Sequence, residues 1–188
     1  MKPVKKILAL ILAGVMALAL LTGCGKAASP DRAAAEGVAD WMKHICHAYG
    51  NQNEISVSYQ VPELRRDIVP LFDTNWMKRD DHADPDDADY PDENATISGT
   101  TTTVAQALQQ CLSNYKDASC TAFFATDVTG SAGFASPEVY WLIMESHGFA
   151  VYGDYATAVT NATHLRIAAA HKTIGEKTFL LAVVIFEA

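Results

Sequence analysis

Positive charge is what this 188-residue sequence has least of. It carries 14 Lys and Arg against 22 Asp and Glu, a formal charge of −8. A nucleic-acid binder needs a basic surface to displace counterions from phosphates, and no basic run here exceeds Lys5-Lys6 or Arg65-Arg66. Nucleic acid is therefore excluded as a partner. Cysteine is also scarce: four, unevenly spaced, make neither a disulfide framework nor a CxxC-type zinc site. No serine sits in a G-x-S-x-G elbow and no cysteine carries a protease-like signature, which leaves nucleophilic catalysis without support. Asp84, Asp86, Asp87 and Asp89 have the composition of a calcium loop but lack its Gly at the sixth position and Glu at the twelfth. Internal repeats are absent. The apolar fraction of 49% and charged fraction of 19% are those of a globular chain, long enough for one domain with a short extension.

The one long apolar run, Ile7 to Leu21, lies at the N-terminus behind Lys2, Lys5 and Lys6. It is too short and wrongly flanked for a transmembrane span but has the basic start and apolar middle of a secretory signal. It ends in Leu21-Thr22-Gly23-Cys24, which resembles a bacterial lipobox, where the cysteine is lipidated and becomes the new N-terminus. The expected division is a signal peptide at 1–23, a small polar tether at 24–35 and a folded domain at 36–188. Cleavage leaves 188 − 23 = 165 residues. Three lysines leave with the signal, so the mature charge is 11 − 22 = −11. Anionic headgroups repel such a domain, so the acyl chains at Cys24 must supply its membrane attachment. The expected location is extracytoplasmic and membrane-anchored.

Within the mature chain, Val38, Trp41, Met42, Ile45 and Ala48 recur at helical spacing over 36–49. Ile55, Val57 and Tyr59 alternate with polar residues as a strand does. Pro62 opens a second helix carrying Leu64, Ile68, Leu71 and Phe72, which Pro70 must kink or interrupt. Residues 78–93 form an acidic, solvated loop. Thr100–Thr103 supply an N-cap for a helix with Val104, Ala107, Leu108, Cys111 and Leu112 on one face. Strands are predicted at 120–124, 130–134, 139–144, 164–170 and 178–186, the last two joined by a turn at Gly175. Helices come mainly first and strands mainly last, which predicts an α+β fold with an antiparallel sheet.

The order of these pieces resembles bacterial CAP domains, the cysteine-rich secretory protein, antigen 5 and pathogenesis-related 1 group. Ile55 to Ile68 (ISVSYQVPELRRDI) is similar to that family's short strand, "PEL" and helix. His82-Ala-Asp-Pro-Asp-Asp87 resembles its H-x-x-P-D-G segment, and Asp92-Glu-Asn-Ala95 its G-E-N-[IV] motif. Cys111-Leu-Ser113 resembles the end of its W-L-x-S helix, and Thr129 to Ala135 followed by Tyr140-Trp141 its closing strands. Asp92 replaces the motif glycine, Cys111 the tryptophan, and the S-x-G-H histidine is missing after Ser113. A second placement gives Ser146-His147-Gly148 that role and lets Ala162-Thr163-His164 open the final strand pair. Under the first placement residues 147–188 are an added strand pair; both placements stand at this point.

The resemblance implies a three-layer α-β-α sandwich with a cleft holding His82 and Glu93. Imidazole and carboxylate are zinc ligands, and His147 is the candidate third ligand of a divalent metal site. The alternative is that His82 sits among carboxylates that favour its charged form. Cys111 and Cys120, nine residues apart, can form a disulfide in an oxidising compartment or remain free thiols. The function expected is a lipid-anchored binding module for a small molecule, lipid or envelope partner, more a binder than an enzyme. The alternatives are a metal-dependent hydrolase with Glu93 as base, or a structural envelope lipoprotein.

Overall fold

A computed structural model describes residues 29–78, 90–116, 118–145 and 147–188. Cys24, His82 and the aspartates of 84–89 lie outside the described residues.

The first helix, α1, spans Pro30–Ala48. It starts six residues before the expected domain boundary, because Ser29 caps it through the Arg32 N–H and Pro30 supplies a preset first-turn φ. Ala33, Ala34 and Ala35 are fully or nearly fully buried. The stretch 30–35 is thus part of the core helix and not the expected tether, because small residues that suit a flexible linker also suit close helix packing. After Ser56–Ser58 (β1), Leu64–Ile68 forms a π turn that runs into Val69–Leu71 (α2). Pro70 brings no N–H to the ladder, and the turn before it widens so that Val69 N–H donates to the Leu64 carbonyl. The Lys172 ammonium then takes up the carbonyls of Val69, Pro70 and Phe72 at 2.7, 3.3 and 2.6 Å. Short strands Met77–Lys78 (β2) and Tyr90–Pro91 (β3) pair with each other. Helix α3, Val104–Cys111, opens on a full capping box between Thr103 and Gln106, at one of the predicted threonines.

The main sheet has the order β1-β6-β7-β4-β5, with β4 at Ala118–Asp127, β5 at Ala150–Gly153, β6 at His164–Ile174 and β7 at Lys177–Glu187. All its pairings are antiparallel except β1 with β6, which is parallel. The class is α+β, as the order of elements predicted. The C-terminal hairpin forms the middle of this sheet, not an appendage, and turns through Gly175 at φ 60°.

Two predicted strands are corrected. Residues 130–134 form successive turns, with Ser131 N–H on Val128 O and Phe134 N–H on Ser131 O. Residues 139–144 belong to helix α4, Pro137–Glu145. Six consecutive apolar residues carry no period to separate helix from strand, and Pro137 at the helix start was the deciding signal. Helix α5, Tyr155–Asn161, follows β5.

Strand β7 shows how the core divides. Leu180, Ala182, Val184 and Phe186 join a cluster with Trp41 and Met42 of α1, Tyr140 and Met144 of α4, and Val159 of α5. The alternate residues Phe179, Leu181, Val183 and Ile185 join Leu64, Ile68, Trp76 and Leu108. A strand buried on both faces reads as an unbroken apolar run, which is what 179–186 is.

Candidate functional site

The residues expected to form a cleft are placed as follows. Glu93 is exposed in the turn before α3, and its carbonyl accepts the Ala105 N–H at 3.0 Å. His147 follows α4, half-buried, with Nδ1 2.5 Å from the Ile143 carbonyl. Their neighbours meet: a Cβ on Gly148 would lie 3.0 Å from Cβ of Tyr90. Tyr152 of β5 completes this corner. Burial, and then the Glu93 and Asp92 carboxylates, push its phenol upward, and its hydroxyl has no hydrogen-bond partner among the described residues. Tyr152 also lines a shallow cavity of about 260 Å³ with Leu108, Tyr115 and Cys120. Among the described residues no group of three His, Cys, Asp or Glu side chains could hold a metal, and His82 lies outside them.

Cys111 and Cys120 are not bridged. Both are free thiols, Cys120 in the α1-side cluster and Cys111 against the opposite one, with the sheet between. Burial pushes the Cys120 thiol up to about 11 and that of Cys46 equally.

The larger concavity, about 530 Å³, lies where α1 begins. Its walls are Ser29, Asp31, Arg32 and Ala35 on one side and Tyr59 to Pro62 with Arg65 on the other; Ile167, Ala168 and Ala169 of β6 form its floor. Asp31 organises it. One carboxylate oxygen is ion-paired with Arg65, and the other accepts the His171 N–H at 3.0 Å and lies 2.5 Å from His171 Nδ1. His171 Nε2 is 3.1 Å from the Tyr140 hydroxyl. Burial and the Arg65 guanidinium push the imidazole below its ordinary value. The carboxylate at 2.5 Å pulls the other way, but Arg65 on the same carboxylate offsets it, so the neutral ring prevails. It donates from Nδ1 to Asp31 and accepts at Nε2 from Tyr140, whose phenol burial holds protonated up to about 12. Arg32 pairs with Glu36 at 2.6 Å and stacks on Tyr59, 3.6 Å from the ring centroid.

A second polar network ties β1 to β6. His164 Nδ1 is 2.7 Å from Ser56 Oγ, its Nε2 is 3.0 Å from Ser58 Oγ, and Glu187 stands 4.0 Å from that same Nε2. A hydrolytic triad needs acid and serine on opposite ring nitrogens. Ser58 shares Nε2 with Glu187, and opposite Ser56 that nitrogen is taken by Ser58 while Glu187, at 4.0 Å, is beyond hydrogen-bond distance, so the network is an edge tie and not a nucleophile. Arg166 bonds Glu187 at 2.6 Å, and the buried Glu63 carboxylate accepts from the Tyr115 hydroxyl at 2.8 Å.

Sequence reasoning used Pro62-Glu63-Leu64 only as a motif and passed over Asp31, His171 and Arg65. Asp31 at a helix start gave a local signal; its partner, 140 residues away, gave none. Comparison with known proteins finds no matching family model, no matching curated protein and no matching solved structure.

Proposed function

We propose that this chain is a lipid-anchored, CAP-like binding module of the bacterial cell envelope, arranged as an α-β-α sandwich, whose ligand site is the groove at the start of α1. The observation that carries this reading is the groove itself. It is open, lined by Asp31, Arg32 and Arg65, and holds no paired nucleophile and base among its described lining residues. The Leu21-Thr22-Gly23-Cys24 sequence supports the anchor, and helices on both faces of the sheet support the sandwich. With α1 starting at Pro30, only Cys24 to Ser29 remain as tether. Six residues span at most about 20 Å, so the groove works close to the bilayer.

Intact mass of the protein from the membrane fraction should show an acylated N-terminal Cys24, and Cys24→Ser should release the chain from the membrane. Benzoylphenylalanine at Gln60, an exposed groove position, should form photo-adducts in cells that the same group at exposed Glu176 does not. If neither position forms adducts, the binding reading fails and the structural envelope role takes its place.

The metal-dependent hydrolase reading keeps one support, the packing of Tyr90 against Gly148 that brings the segments of Glu93 and His147 to one corner. Elemental analysis of the full mature chain tests it: without stoichiometric zinc it falls.

A further inference from the structure

The floor of the groove is a strand edge that its neighbour leaves uncovered. β1 is three residues long and pairs with β6 only from His164 to Arg166, whereas β6 continues to Ile174. Which backbone groups face that edge follows from parity. Ser56 N–H donates across it to the Thr163 carbonyl, and His171 N–H points out of it to Asp31. Odd-numbered residues of β6 therefore present their N–H and C=O to the β1 side, and even-numbered ones to β7. Between the end of β1 and His171 this leaves the C=O of Ile167 and the N–H and C=O of Ala169, which bond no described residue. Ala169 lines the groove.

We infer that the groove takes an extended peptide segment of a partner protein, added beside β6 in the line that β1 begins. This rests on the binding reading above and names its ligand class. Unpaired strand edges recruit strands, because main-chain hydrogen bonds give affinity and alternate side chains give specificity. The β1 chain turns away at Tyr59 and Gln60, so the slot it vacates is continuous with an existing ladder. Asp31 closes the far end by taking the His171 N–H, which limits the insertion to a few residues. The walls set the charge. Arg32 and Arg65 stand over the groove in a domain of mature charge −11, and although each is paired with a part-buried carboxylate, Glu36 or Asp31, both guanidinium side chains are themselves well exposed, so acidic side chains of a peptide can compete for them. A second copy of the chain is disfavoured by its own net charge.

The test uses the full mature protein in detergent micelles and the capped hexapeptide (Val-Glu)₃. Two counterparts carry N-methyl groups at odd or at even positions. In the free protein the Ala169 amide should exchange faster than those of Ala168 and Ala170, which face β7. The hexapeptide should bind with Kd below about 1 mM. On binding, exchange at Ala169 should slow by at least about tenfold. One methylated peptide should lose binding and the other keep it, since an added strand uses only one set of its N–H groups. Ala169→Pro, which removes the edge N–H without touching the β7 ladder, should abolish binding, and the methylated peptides give the same answer should that variant not fold.

Equal binding of both methylated peptides, or no binding at millimolar hexapeptide, overturns the inference. So does an Ala169 amide already protected in the free protein, which would assign the slot to the chain's own residues 25–28. Concentration-dependent dimerisation that protects Ala169 overturns it in favour of a second copy. Any of these results with Gln60 photo-adducts still forming leaves the binding reading intact; loss of the adducts removes both.

Discussion

Gly37→Ala offers a test of the helix packing in which two effects of opposite sign compete. Gly37 lies in the interior of α1, where alanine is ordinarily better than glycine by about 1 kcal/mol. Here the added Cβ would lie 2.3 Å from the Pro137 carbonyl oxygen, 2.7 Å from Tyr140 Cβ and 2.9 Å from Trp141 N. Two of these are backbone atoms of α4 and the third is fixed to it, so no side chain can swing aside. The helices must separate by roughly 1 Å to restore ordinary carbon–oxygen contact. That shift loosens the α1-side cluster, where Ala33, Ala34, Val38, Met42, Tyr140 and Met144 are all fully buried. Overpacking of this kind costs about 1–3 kcal/mol beyond what propensity returns. We expect the midpoint of urea unfolding, read by tryptophan fluorescence, to fall with the m-value unchanged, and Tm to drop by about 2–10 °C. A rise in the midpoint would refute the close contact of α1 and α4.

His171 is held below its ordinary pKa of 6.5, so the unfolded chain takes up that proton first as pH falls. Its contribution to stability is whole above pH 6.5 and is lost as pH drops from there through the lower folded value. Unfolding free energies measured from pH 8 to 5 should therefore fall less steeply below pH 6.5 in His171→Asn than in the wild type, and parallel curves would contradict the buried neutral imidazole. Burial raises all three described thiols, so native mature protein at pH 8 should leave Cys46, Cys111 and Cys120 unreactive to a disulfide reagent, while denaturation without reductant should titrate three. A single thiol on denaturation would restore the 111–120 bridge. Asn51, buried after α1, donates to the carbonyls of Val159 and Ala162 at 3.0 and 2.9 Å, and Asn51→Ala should cost about 1–3 kcal/mol in urea unfolding by orphaning them.

What the sequence made legible were elements whose signal is local. The 3.6-residue period of α1, the Thr103 cap and the apolar 179–186 strand need no distant partner to be read. The 139–144 segment shows no period because its outward positions are apolar too, Leu142 being 40% exposed, so no polar face marks the helix. The groove was illegible for a different reason. Asp31, Arg65 and His171 are unremarkable in their local surroundings, and only the sheet order, with β1 beside β6, brings 31, 65 and 171 together. The Glu93 corner lies between these cases. Its motif was visible, yet whether His147 reaches it depends on how the segment after α4 packs on Tyr90.

On the proposed lipid anchoring, the start of α1 links anchor and groove through one short stretch of chain. Ser29 caps the helix, Asp31 two residues later bonds the β6 edge and Arg65, and Arg32 forms the facing wall. A tether reaching Ala35 would have let the domain turn freely above the membrane, because a dozen flexible residues impose no orientation. If Cys24 is lipidated as proposed, ending the tether at Ser29 confines the mouth of the groove to within about 20 Å of it. On that reading, an acidic domain so confined would be repelled by anionic headgroups, and the lipid would have to hold it there. The proposed confinement would raise the effective concentration of any partner segment lying at the bilayer, so an unpaired edge of modest intrinsic affinity could still be occupied.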